Sequence, residues 1–203
     1  MKQSLGANTL AQPTPVWVVG SYDAFGKANM MTAAWGGICC SKPPCLTVSL
    51  RAERHSHAAI MARKAFTVSV PSQRHVAEAD FVGMVSGSVA DKFAVTGLTA
   101  TRSALVDAPY VEEFPLVIEC RLLQTVDLGA HTQFIGEILD VKADANVLDT
   151  DGHIDLARLM PLIFAPGSSK YYGVGDVVAQ AFSAGKKFNE LESTTRGRPQ
   201  AAA

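Results

Sequence analysis

Apolar positions along this chain recur more with the period of a strand than with that of a helix. Val16-Trp17-Val18-Val19-Gly20-Ser21-Tyr22 reads as a first strand, and Asp23-Ala24-Phe25-Gly26 supplies the residues of a turn. Asn29 to Trp35 returns as the second arm of a hairpin. Gly36 and Gly37 loosen the pattern and Lys42-Pro43-Pro44 breaks it. Cys45-Leu46-Thr47-Val48-Ser49-Leu50 alternates apolar and small polar side chains, as a half-buried strand does. Phe66 to Val70 forms a further strand, stopped by Pro71. The second half is more plainly β. Leu116 to Val126 and Phe134 to Val141, joined through Leu128-Gly129-Ala130, read as one long antiparallel hairpin.

Helical signals are inserted among these strands. Ser56 stands where an N-cap belongs, with Ala58 to Ala62 as helix formers and Arg63 and Lys64 as a basic end. Val76 to Val85 has helical spacing, and Asp91 to Val95 suits a short helical turn closed by Gly97. Leu156 to Leu159 and Asp176 to Phe182 are expected as two more short helices, with a turn at Ala165-Pro166-Gly167 between them. The expected fold class is therefore mostly β with helical insertions, an antiparallel barrel and not a doubly wound sheet. One domain is expected over residues 1–190, and the polar, then Ala-rich stretch 191–203 is expected to be a flexible tail.

Composition narrows the function. The 203 residues are 48% hydrophobic and only 18% charged, with a net charge of -1. A charge fraction under the roughly 25% of ordinary domains points to apolar surface buried on another subunit. Near-neutrality excludes the basic field that nucleic-acid binding needs. No apolar run reaches the ~20 residues of a membrane span, and Met1 to Asn8 carries no leader-like apolar stretch. Cys39, Cys40, Cys45 and Cys120 form no C-x-x-C pair, so reduced thiols and a cytoplasmic location are expected. Free cysteines of this kind are most often small buried hydrophobes. The five histidines lack zinc-site spacing, and no metal is expected.

Two stretches can carry chemistry. Asn29-Met30-Met31-Thr32-Ala33-Ala34-Trp35 holds small residues that let a flat ring approach the backbone; tight packing would use the same residues. Arg51, Arg54 and His55 fall between a strand end and a helix start, where unpaired N–H groups and cations suit a phosphate. A capped helix with solvated arginines has the same spacing, and spacing alone leaves both open.

The order of these motifs resembles the flavin-reductase-like FMN-binding split-barrel family, in particular its flavoredoxins. The matching stretches are N-x-x-T-A-A-W, K-P-P, C-L-T-V-S-L-R and R-H-S, followed by Ser86 to Phe93, Thr96-Gly97-Leu98, Ala108 to Pro115, His131 to Glu137 and Tyr171-Tyr172-Gly173. The resemblance implies a six-stranded antiparallel split barrel, usually a homodimer, that holds FMN without a covalent bond. It implies that Thr32, Ala33, Ala34 and Trp35 line the isoalloxazine with Asn29 nearby, and that Ser49, Leu50 and Arg51 follow the ribityl chain. Arg54, His55, Ser56 and Lys92 would surround the phosphate, and Tyr171 and Tyr172 would close the pocket. His131 sits in Gly129-Ala130-His131, where related reductases carry Gly-Asp-His; a nicotinamide contact and a plain hairpin-turn histidine are equally open.

The implied function is passage of electrons through FMN to or from a redox partner protein. The alternatives are an NAD(P)H-dependent flavin reductase of the same fold and a non-catalytic flavin-binding sensor. No catalytic side chain is required where the cofactor carries the chemistry. No Rossmann G-x-G-x-x-G is present, so NAD(P)H would act as a transient donor.

Overall fold

Alternation of apolar side chains gives one face of a coiled sheet to a common core, and the chain builds that sheet in short steps. The computed structural model describes residues 1–186 and 188. Its elements are β1 (Thr14–Pro15), β2 (Trp17–Tyr22), β3 (Ala28–Ala33), β4 (Gly36–Ser41), β5 (Pro44–Leu50), α1 (His55–Arg63) and β6 (Ala65–Val70). They continue as α2 (Val76–Met84), α3 (Lys92–Thr96), β7 (Ala100–Arg102), β8 (Pro109–Val111), β9 (Leu116–Asp127) and β10 (Thr132–Ala143). The last are α4 (Leu156–Leu159), β11 (Ile163–Ala165) and β12 (Lys170–Tyr172).

The main sheet has seven strands in the order β3-β2-β6-β9-β10-β5-β4, all adjacent pairs antiparallel. Expectation and structure agree on a split barrel; the seventh strand is β4. Its glycines were expected to loosen the chain, yet Gly36 lets the backbone lie against the Trp17 ring. A Cβ there would stand 2.8 Å from ring carbons. The Pro43 breaker is the hairpin tip joining β4 to β5, where Ser41 pairs with Pro44.

Val19, Met31, Leu46, Val48, Leu50, Phe66, Val68, Ile118, Cys120 and Phe134 form the main core, joined by Ile60 of α1. Gly136 has no side chain because Phe66 occupies that space; a Cβ would lie 2.5 Å from the ring. A second core, with Val18, Met30, Ala79, Val82, Phe93 and Phe114, packs α2 and α3 outside β2 and β3. No helix among the described residues is long and apolar enough to cross a membrane.

Three sequence expectations are corrected. Ser56 is not an N-cap: Arg54 takes that position with extended dihedrals (φ -71°, ψ 131°), and Ser56 lies buried inside the first turn. Residues 176 to 182 form no helix. Val177 and Val178 are 90% and 99% exposed, so this stretch has no apolar stripe packed on a neighbour, and a helix this short is not stable alone. Cys39 and Cys40 are exposed on β4, whereas Cys45 and Cys120 are buried as expected. The expected tail at 191–203 lies outside the described residues.

One buried charge ties the β7–β8 excursion to the barrel. Glu119 of β9 is 0% exposed, is paired with Lys142 of β10, and accepts the Leu105 N–H at 3.1 Å. Burial pushes its pKa up, but hydrogen bonds from Lys142, Ser103 and the Leu105 N–H outweigh this and hold it below the usual range. Glu119→Ala is expected to strand these donors and destabilise the fold by about 1–3 kcal/mol. A lower urea midpoint at unchanged m checks it. The low pKa also means that this stability is present above the ordinary glutamate pKa and is lost as pH falls through the folded value.

Candidate functional site

β3 is an edge strand of the sheet, so one side of its backbone has no strand partner. In an antiparallel edge, alternate residues turn N–H and C=O outward. The Met30 carbonyl is one such group, since it accepts from Lys92 Nζ at 2.8 Å. By the same alternation Thr32 turns its backbone groups outward. The Trp35 carbonyl accepts the Ser49 N–H at 2.8 Å, which joins the chain after β3 to the end of β5.

Three recesses follow this open edge and share residues. The first is lined by Asn29, Arg54, His55, Ser56, Gly87 and Lys92 among others. The second, about 160 Å³, is lined by Met31 to Trp35, Ser49 to Arg51, Arg54 and His131. The third, about 300 Å³, adds Val16, Asp80, Met84, Phe164 and Tyr171 to the shared Thr32, Ala34 and Arg54. The stretch from Asn29 to Ala34 spans roughly 17 Å at about 3.3–3.4 Å per residue.

The first recess is polar and cationic. Asn29 Nδ2 donates to Ser56 Oγ at 2.9 Å, and both residues are buried. This bond claims the hydroxyl that an N-cap would have used. Lys92 is only 4% exposed. Its ammonium donates to the Met30 carbonyl of β3 and, at 2.7 Å, to the Val82 carbonyl of α2. Burial, then the nearby Arg54 charge, lower its pKa to about 8. Arg54 Nη1 makes only a long contact of 3.5 Å to the Gly83 carbonyl. No acidic residue stands in the first turn of α1, so its N–H groups and dipole add to the same positive field. His55 approaches Asp23 at 4.0 Å.

Most of the expected site residues meet here. Arg54, His55, Ser56, Lys92 and Asn29 line the first recess, and Thr32, Ala33, Ala34, Trp35, Ser49, Leu50 and Arg51 line the second. Arg51 does not reach the first recess and forms an exposed pair with Glu53 at 2.9 Å. Tyr171 lines the third recess and donates to Asp80 at 2.9 Å. Burial, then Asp80, push its pKa up to about 12. Tyr172 lines none of the three and is half exposed. His131 does line the second recess.

Sequence reasoning assigned no role to Gly83, Ser86 or Gly87. The Ser86-Gly87-Ser88 stretch was visible, but nothing local tells what it covers. A Cβ on Gly87 would sit 2.1 Å from Asn29 Oδ1 and 2.9 Å from His55 Cδ2. A cavity of about 930 Å³ lies elsewhere; it is lined by Asp149, Asp155 and Asp176 without a cation. That sign repels the anion that the first recess attracts.

The arrangement therefore sets a backbone edge flanked by small side chains at one end and cationic donors at the other. The close approach at Gly87, the small side chains Ala33 and Ala34 and the donors of Arg54 and Lys92 have the chemistry of a site for a flat, anionic molecule. Gly87→Ala is expected to push Asn29 off Ser56 and to cost about 1–3 kcal/mol of stability, read by chemical denaturation.

Comparison with known proteins agrees with this geometry. Residues 10–173 match the model of the flavin reductase like domain. The structure is similar to flavoredoxin of Desulfovibrio vulgaris (Miyazaki F), at 52% identity and TM-score 0.88, covering 91% of this chain and 100% of that one. It is also similar to flavoredoxin from Methanosarcina acetivorans, at 28% identity and TM-score 0.87, covering 93% and 99%. An uncharacterized protein of Archaeoglobus fulgidus is 34% identical over 115 residues, 57% of this chain and 65% of that protein. The first curated relatives are thus matched over less than two thirds of their length.

Proposed function

The chain belongs to the flavin reductase like domain family, and from that premise we propose that it is a cytoplasmic FMN-binding redox protein that passes electrons to or from a partner protein. One observation carries this reading: the adjoining recesses along the β3 edge, with open backbone at one end and the buried Lys92 and half-buried Arg54 at the other. Two supporting structures are flavoredoxins by name.

FMN would supply reversible one- and two-electron chemistry when bound. The protein's own residues bind and orient. Arg54, His55, Ser56 and Lys92 would hold the phosphate, with the first-turn N–H groups of α1. Ser49 to Arg51 would follow the ribityl chain, and the outward backbone groups of β3 near Thr32 would meet the polar edge of the ring. Trp35 and His131 bound the ring site. Tyr171, held by Asp80, walls the adjoining recess.

A second reading is favoured by that adjoining recess. Its apolar walls, Val16, Met84, Phe164 and Tyr171, leave about 300 Å³ beside the ring site. A nicotinamide could enter there, which would make the protein an NAD(P)H-dependent reductase. We also take the working form to be a homodimer, because the edge strand β4 exposes Ile38 to 68%.

The deciding experiment mixes the FMN-loaded protein anaerobically with NADH or NADPH and follows the flavin absorbance. The carrier reading expects no bleaching on the timescale of seconds; rapid bleaching establishes the reductase reading instead. A protein that takes up no FMN overturns both. Arg54→Ala is expected to weaken FMN binding about 10- to 150-fold, the equivalent of about 1.5–3 kcal/mol for a charge-assisted contact. Riboflavin binding should change little. Equal weakening of both ligands would refute the phosphate assignment.

A further inference from the structure

Lys92 does more than add charge to the first recess. Its ammonium bridges the Met30 carbonyl of β3 and the Val82 carbonyl of α2, the two walls of that recess, at 2.8 and 2.7 Å. An ammonium has three N–H donors, and these two bonds leave one for a ligand. The group is 4% exposed, so water stabilises its charge poorly. No carboxylate lines the recess. The charged or titratable groups that line the recess with it are Arg54, just before α1, and His55 of α1; β3 adds Asn29 and Met31, and α2 with the segment after it adds none. On its own helix, the neighbouring Asp91 is engaged with Lys27 at 3.1 Å. Asp23 lies beyond His55 at 4.0 Å.

We propose that Lys92 couples phosphate binding to proton uptake: the recess holds a neutral amine at alkaline pH, and a dianionic phosphate entering it draws a proton onto Nζ from solvent. The proposal rests on the FMN reading and adds a property to that site. Burial and the Arg54 charge both favour the neutral amine, and its pKa of about 8 places the exchange just above neutrality. A bound dianion reverses the balance because the charged form then gains a partner. The sign follows from linkage. Affinity for the phosphorylated ligand is full below the free-protein pKa and falls as pH rises through it.

FMN and riboflavin share the same ring, so the ratio of their affinities isolates the phosphate. In the wild-type protein this ratio is expected to fall about tenfold between pH 7 and pH 9, one unit beyond the lysine's titration. Calorimetry at pH 9 in two buffers of different ionisation heat should report uptake approaching one proton per FMN and none per riboflavin. In Lys92→Arg, whose guanidinium stays charged, FMN should still be preferred but the ratio should become flat with pH. His55→Gln should leave the uptake in place. A flat wild-type ratio, or uptake that survives Lys92→Arg, overturns the proposal; if that variant fails to fold, the wild-type profile alone decides. A protein that binds FMN no more tightly than riboflavin at every pH overturns the phosphate site itself.

Discussion

Everything at the site depends on a strand edge that has no strand beside it. The sheet runs from β3 to β4 without a further strand on β3, so backbone groups on that side must find other partners. One is satisfied from within, as Lys92 donates to the Met30 carbonyl, and just beyond β3 the Trp35 carbonyl accepts the Ser49 N–H. The side chain of Thr32 is tied to the Ala79 carbonyl of α2. Between these ties the edge lies open along a groove. A barrel closed at this point would have no place for a flat polar ring, and an edge left wholly bare would invite pairing with another chain.

The electrostatic arrangement follows from the same gap. α1 begins where β5 ends, which brings the N-terminus of α1 to the edge, and Arg54 at its cap overhangs the groove. Lys92 reaches in from α3, behind α2, because α2 and α3 pack outside β2 and β3 through Ala79, Val82 and Phe93. The low charge fraction of the chain hides this local concentration: few cations are present, but two of them meet where no carboxylate lines the wall. Acidic side chains gather instead around the cavity lined by Asp149, Asp155 and Asp176.

Glycines mark where backbones had to approach. Gly20 lies against the Pro109 carbonyl, where a Cβ would stand 2.0 Å from the oxygen, and so admits β8 beside the barrel. Gly87 folds its loop onto Asn29 and His55 and closes the polar end of the groove. Neither position differs, in sequence, from a glycine that merely makes a turn. The loop at Ser86-Gly87-Ser88 therefore entered the sequence reading only as part of a matching stretch with no role of its own, although it completes the recess.

By itself the sequence determined the strands with strong alternation, the long hairpin of β9 and β10, and the helices at α1 and α2. In the strands and α1 an apolar face is written locally at a period of 2 or 3.6, while α2 shows in its run of good helix formers and apolar residues without such a face. The small-residue run Thr32 to Trp35 and the run of Arg51, Arg54 and His55 were legible as candidates, and the resemblance of ordered motifs implied roles for them. Local pattern could not decide whether β4 is a strand, because its pairing comes from β5 and its glycines from contact with Trp17. It misplaced the start of α1, because Ser56 is claimed by Asn29, 27 positions away. It proposed a helix at 176–182 that has no surface to pack on. The tertiary structure alone decided that Lys92 is buried, that Arg51 lines the second recess and not the first, and that Tyr171 lines the third recess while Tyr172 does not. These outcomes depend on which distant elements desolvate a side chain, and that is a property of packing which no local spacing records.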